Sequence, residues 1–234
     1  WDDPYITMKK EYEAITADEC GTFALDGSLY HSKKPVYWCP SCQTALAEAE
    51  IEYADETSPS IFVRFPFRSD LGAKVPSLAG KDVYVVIWTT TPWTIPANRG
   101  ISMHPDYAYA AYDCGPKGVL IMAKELAADV LKQFGYADAP LVADINSKLL
   151  ENLNAKHPLF DRDSLIMLGT HVTLDAGTGC VHTAPGHGRE DYDVGSRYGL
   201  DVYSPVDDKG CFTGDVPEWE REYVFKANPS IIEA

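Results

Sequence analysis

From Val83 to Trp88 the chain reads Val-Tyr-Val-Val-Ile-Trp, and then three threonines and Pro92 end the run. Six consecutive apolar or aromatic residues without alternation predict a strand covered on both faces, and six is too few for a buried helix. Proline removes the next backbone donor and stops the ladder. This one segment demands a sheet with further layers above and below it. Other stretches supply the partners. Ile61–Phe67 reads as a strand broken by Pro66; Tyr107–Tyr112 and Val119–Met122 follow, joined by the turn at Cys114–Gly118. Ala47–Tyr53 alternates small or apolar residues with glutamates, the pattern of a half-buried strand. Short strands are expected over 141–146, 165–168, 171–174 and 179–183.

Helices are fewer. Tyr12, Ile15 and Glu19 predict a short helix that Gly21 and Asp26-Gly27 interrupt. Lys124–Phe134 carries Leu126, Val130, Leu131 and Phe134 on one stripe, with Gly135 as its stop. Another is expected from about Glu190 to Tyr198, ending at Gly199. Many strands, few helices and no regular β-α alternation predict a mixed, β-rich fold: a β-barrel with peripheral α-helices. At 234 residues the chain suits one elaborated domain or two small ones.

Charge narrows the partners. Twenty Lys+Arg against 35 Asp+Glu leave a formal net charge of −15. That sign opposes free binding of nucleic acid, whose affinity comes mainly from neutralised phosphates. No apolar run approaches the ~18 residues of a membrane span. Six cysteines in a chain of this length are too sparse for a disulfide framework, so a reducing, cytoplasmic setting is expected.

Three constellations can carry chemistry. In Trp88–Asn98 the hydroxyls of Thr89, Thr90 and Thr91 end a buried strand, where they can hold a ribose, an ester or a water; equally, β-branched residues can finish an edge strand and cap a turn. In Gly177–Tyr192 the glycines allow tight turns, and His182, His187 and the carboxylates at 190, 191 and 193 surround one loop-to-helix junction. Asp191 falls in the first helical turn, where the macrodipole favours an ionised carboxylate able to receive an ammonium group. The plainer reading is that Glu190 and Asp191 only satisfy the helix start. His182, His187 and Asp191 could alternatively ligate a hydrolytic zinc, although their spacing matches no familiar zinc motif. The third constellation, Cys39-Pro40-Ser41-Cys42, is half a zinc knuckle: either half of a structural zinc site whose other ligands lie outside this chain, or an unoccupied remnant of one.

Taken together, Trp88–Asn98 (WTTTPWTIPAN) and Gly177–Tyr192 (GTGCVHTAPGHGREDY) resemble the two signature stretches of the editing insertion of isoleucyl-tRNA synthetases. Trp1–Met8, Lys34–Glu52 and Val224–Asn228 are similar to its flanking segments. Valyl and leucyl editing domains carry Thr-Arg-Pro where this chain has Thr90-Thr91-Pro92, and lack the His182–His187 run. The resemblance implies a flanking segment over 1–34, a Cys-x-x-Cys knuckle and lead-in strand over 35–60, an editing core over 61–222 and an exit segment over 223–234. It implies hydrolysis of valine wrongly esterified to the terminal adenosine of isoleucine tRNA, with no cofactor for the editing step. The tRNA would be gripped by the rest of the synthetase in cis, and the isolated domain would be monomeric. The His-x-Gly-His and Lys-Met-Ser-Lys-Ser motifs of the aminoacylation core are absent from these 234 residues. By the same resemblance Asp191 anchors the substrate ammonium, and Thr90 and Thr91 serve catalysis. Thr89, Trp93, Asn98, His182, Gly186 and His187 line the substrate, His182 helping to reject isoleucine. The rivals are a metal-dependent hydrolase and a non-catalytic module that binds the acceptor end of tRNA.

Overall fold

The computed structural model describes residues 4–234, so Trp1–Asp3 of the first flanking segment lie outside the described residues. The chain divides into two compact units, one ending at Lys33 and one spanning Lys34–Ala234.

The first unit is built on helix α1, Lys10–Leu25, which buries none of its residues. It runs straight through Gly21, where a break was expected. A lone glycine costs a helix only about 1 kcal/mol, and the chain turns instead at Asp26-Gly27, with Gly27 at φ 83°.

The second unit begins with a small hairpin, β1 (Trp38–Cys39) and β2 (Thr44–Ala45). The strand expected at Ala47–Tyr53 does not form. Glu50 folds back to accept the Ala47 N–H at 2.7 Å, closing a single 3-10 turn over Glu48–Glu50. The remaining strands are β3 (Ile61–Pro66), β4 (Val83–Thr89), β5 (Gly100–Met103), β6 (Ala108–Asp113), β7 (Val119–Ala123), β8 (Leu141–Asn146), β9 (Asn154–Lys156), β10 (Asp163–Leu168) and β11 (Cys180–Thr183). Between or after them lie α2 (Ala127–Gln133), α3 (Ser147–Leu150), α4 (Arg189–Arg197) and α5 (Val224–Glu233). Residues 171–174 make a turn and bends rather than the expected strand.

Two sheets result, in the orders β3-β4-β7-β6-β8 and β11-β5-β10-β9. β4 pairs with β7, and β5 with β10, in parallel; the other ladders are antiparallel. The β-rich class with few helices is what the structure shows. The barrel is not closed by hydrogen bonds: a Phe67–Ala155 bridge stitches one seam, while no ladder joins β8 to β11 among the described residues. β11 is only four residues long, held between Gly179 at φ 70° and Pro185, and cannot reach a second partner.

The double burial of β4 has a simple cause. Val83, Val85 and Ile87 enter the main core with Phe65, Ile101, Tyr109, Ile121 and Ile166 of both sheets. Val86, one face over, packs with Leu120, Met122, Val130 and Leu131 beneath α2. β4 is therefore a middle layer, and the threonines at its end are delivered from a rigid element.

Candidate functional site

Thr89 closes β4, and its Oγ1 accepts the N–H of Thr91 at 3.0 Å. Pro92 then starts a 3-10 turn over Pro92–Ala97, in which Thr94 donates both its N–H (3.1 Å) and its hydroxyl (2.8 Å) to the Thr91 carbonyl. β11 lies antiparallel to β5 with His182 opposite Ile101, so the imidazole is brought to this turn from the second sheet.

The contacts of His182 have a single solution. Asn98 Nδ2 lies 2.8 Å from His182 Nδ1 and 2.8 Å from the Gly100 carbonyl. Asn98 Oδ1 accepts the Ser164 hydroxyl at 2.5 Å, which fixes the amide orientation. His182 Nδ1 is thus an acceptor, and Nε2–H donates to Thr94 Oγ1 at 2.9 Å, since that hydroxyl already gives its proton to Thr91. Burial, helped by nearby His187, pushes the imidazole down to about 3. His182 is neutral and fully bonded. It forms a wall, with no lone pair left for a proton or a metal.

Asp191 stands in the first turn of α4, as expected, and its Oδ2 accepts the Ala184 N–H at 2.8 Å. Burial pushes its carboxyl up to about 6, against the Ala184 hydrogen bond, which lowers it. Desolvation therefore outweighs the stabilisation expected from the helix start. Among the described residues no cation pairs with it.

Trp93 donates its backbone N–H to Asn228 Oδ1 at 3.0 Å, tying the turn to α5, and meets His187 edge-on at 5.1 Å. His187 Nε2 is buried without a partner, and burial lowers the ring to about 4. Gly186 is required by a close approach, because a Cβ there would lie 2.2 Å from the Tyr203 carbonyl oxygen.

Apart from Asp191, which lines neither of the two clefts below, the expected site residues divide over three features. Thr89 and Thr90 line a cleft of about 320 Å³, opposite His171, Asp175 and Gly177–Cys180. Trp93, Gly186 and His187 line another of about 390 Å³ with Trp38, Tyr223 and Phe225. Thr91, Asn98 and His182 form the hydrogen-bonded partition described above. Thr90 and Thr91 hydroxyls have no protein partner among the described residues. The rival metal set is not assembled: no group of three or more His, Cys, Asp or Glu is placed to hold an ion among the described residues. Thr94 and Ser164 were absent from the expected site. Thr94 follows Thr91 by one 3-10 turn within the same motif, which is a usable signal; Ser164 carried none.

At the hairpin, Cys42 N–H donates to Cys39 Sγ at 3.4 Å, and Gln43 takes φ 52°. This backbone donation lowers the Cys39 thiol, while the neighbouring Cys39 raises that of Cys42. The donor chemistry suits a thiophilic metal, but two sulfurs are half of a four-coordinate zinc shell.

The profile of class I tRNA synthetases (I, L, M and V) matches residues 1–228. The chain is 52% identical over 233 residues to the isoleucine–tRNA ligase of Geobacter sulfurreducens, and 54% identical over 235 residues to that of Thermoanaerobacter pseudethanolicus. Both alignments cover 100% of this chain and 25% of the relative, so the chain spans about a quarter of the length of these relatives. Among solved structures, GlLeuRS-CP1 matches with a TM-score of 0.56 at 16% identity, covering 75% of this chain and 94% of that one. The editing domain of the P. knowlesi cytosolic leucyl-tRNA synthetase matches at 0.50 and 12% identity, covering 60% and 62%. The fold is that of these domains, and by sequence the chain belongs to the class I tRNA synthetases.

Proposed function

We propose that this domain hydrolyses valine from wrongly charged isoleucine tRNA. Valine against isoleucine is the standing example of the limit on selection by fit, and its magnitude is the general one: a missing methylene is worth about 1–3 kcal/mol, so a second, hydrolytic site must restore accuracy. The observation that carries the reading is Asp191, a part-buried carboxylate raised to about 6 with no cation beside it. An α-ammonium would supply the missing charge and return the carboxyl to its ionised form.

The substrate ester is already activated, so a positioned water suffices and no serine or cysteine nucleophile is needed. The unpartnered hydroxyls of Thr90 and Thr91 supply hydrogen bonds to that water or to the ester. His182 cannot act as general base, because both ring nitrogens are engaged. Its neutral face, held by Asn98, sets the boundary that a longer side chain meets. The 320 Å³ cleft beside Thr89 and Thr90 offers room for the terminal adenosine. The remaining tRNA contacts are assigned to the rest of a cytoplasmic synthetase, and the Cys39–Cys42 hairpin to half of a structural zinc site completed elsewhere.

The test is deacylation of valyl- and isoleucyl-tRNA(Ile) by the intact enzyme carrying Asp191→Asn. Asparagine keeps the acceptor for the Ala184 N–H, so folding is retained while hydrolysis of the valyl ester falls at least 100-fold. Normal hydrolysis by the variant would refute the anchor role. Binding of the acceptor end by the unaltered enzyme without turnover would refute the hydrolase reading in favour of a binding module.

A further inference from the structure

Two arginines beside the site share one aromatic ring and have almost nothing to pair with. Arg99 follows Asn98 directly; its N–H donates to the Thr183 carbonyl, and its own carbonyl accepts from Leu165. Arg162 lies just before β10. Their guanidinium carbons stand 4.6 and 5.2 Å from the centroid of Tyr203, the residue whose carbonyl presses on Gly186. Cation–π contact holds a guanidinium in place without neutralising it.

Within the fold the two charges meet a single, loosely held carboxylate. The Nε of each arginine is buried and has no partner. Arg162 Nη2 donates to the Pro96 carbonyl, and its guanidinium also meets the Tyr203 hydroxyl; both partners are uncharged. His157, with Nε2 3.2 Å from Arg162, offers no acceptor. Its Nε2–H is committed to the Ile95 carbonyl, and its Nδ1 accepts from the N–H groups of Leu159 and Phe160. Arg99 has only Asp201, at 3.8 Å, whose side chain is 87% exposed and free to swing into water. In a chain with 35 acidic residues against 20 basic ones, two adjacent, partly buried arginines with one loose carboxylate, on Arg99 alone, are unusual.

We infer that Arg99 and Arg162, held on Tyr203, form a binding site for a phosphate group, either a backbone phosphodiester of the tRNA acceptor strand or a free phosphate. Guanidinium donors match phosphate oxygens in geometry and charge. The placement gives the site a use. Arg99 is continuous with Asn98, and Tyr203 is packed on the loop carrying His187, so an anion held here is registered against both halves of the candidate site. It also suits the net charge of −15, against which a polyanion needs local cationic anchors. The tRNA source rests on the hydrolase reading above; the phosphate site itself does not.

Phenylglyoxal modification of the intact enzyme, read peptide by peptide by mass spectrometry, tests the site without any assay of activity. Inorganic phosphate is expected to slow modification of Arg99 at least threefold while leaving Arg64, which stacks on Tyr84 away from this pair, unaffected. Equal rates with and without phosphate would overturn the proposal. The source is then decided by kinetics of Arg99→Gln and Arg162→Gln on valyl-tRNA and on phosphate-free 3′-valyl-adenosine. A ratio of KM values (tRNA over nucleoside) that rises at least fivefold, with recovery in Arg99→Lys, identifies the phosphodiester. Protection of Arg99 with an unchanged ratio identifies free phosphate. If the unaltered enzyme hydrolyses neither substrate, the hydrolase reading fails, and protection of Arg99 still decides the phosphate site.

Discussion

Replacing Ser164 by alanine should disturb the site from a distance. Ser164 is fully buried, and its hydroxyl is the donor to Asn98 Oδ1, itself fully buried. Alanine leaves that oxygen without a partner, at a cost of about 1–3 kcal/mol. With a urea slope of about 2 kcal/mol/M, the midpoint should fall by about 0.5–1.5 M. The amide itself should not turn over, because Oδ1 cannot face the Gly100 carbonyl, so Nδ2 keeps its bonds to Gly100 and to His182 Nδ1. The ring should therefore stay protonated at Nε2, which nitrogen-15 shifts of His182 read directly. Ser102→Ala is the control, because its partner Thr183 Oγ1 keeps a second contact, to the Val181 carbonyl at 3.3 Å; its loss should be smaller. A midpoint shift of Ser164→Ala no larger than that of Ser102→Ala, or a His182 ring protonated at Nδ1, would refute the reasoning.

Acid should unfold this domain steeply. His157 and His182 are lowered to about 3 and His187 to about 4, so their stabilisation is complete above pH 6.5 and is lost as pH falls through those values. Asp191, raised to about 6, runs the other way and gains stability below that pH. At pH 5 the unfolded chain binds about two more protons from these four groups, so stability should drop by about 2.5 kcal/mol per pH unit; urea midpoints between pH 6.5 and 4 measure it, and a flat profile would contradict the burial of the three rings. Gly186→Ala, forcing a Cβ against the Tyr203 carbonyl, should destabilise by about 1–3 kcal/mol and shift the loop bearing His187, both visible in a melting curve and in the His187 ring resonances. Unchanged values for both would show that the loop has slack.

The parts legible from sequence were those with local causes. β4 was announced by its unbroken apolar run, α4 by its acidic first turn and closing Gly199, and the threonines by the proline that follows them. What escaped depended on distant contacts. β5 and β9 are four and three residues long and acquire strand geometry only from their neighbours, β5 between β11 and β10 and β9 against β10. Ala47–Tyr53 alternates convincingly, but it pairs with neither sheet, and Glu50 found a closer bond. The role of Ser164 required knowing that residues 66 positions apart would meet. The raised carboxyl of Asp191 was likewise invisible, since helix position argues for ionisation and only the packed structure supplies the desolvation.

The spent lone pairs of His182 have a further meaning. A group that titrates near neutrality would change its size, hydration and hydrogen-bonding as the surroundings acidify, and any gap it bounds would change with it. An imidazole that stays neutral down to about pH 3 keeps both of its hydrogen bonds, and with them the positions of Thr94 and Asn98. In this fold the residue type best known for answering to pH serves as a fixed strut between β11 and the turn that follows β4, so the geometry of that turn stays the same as the surroundings acidify.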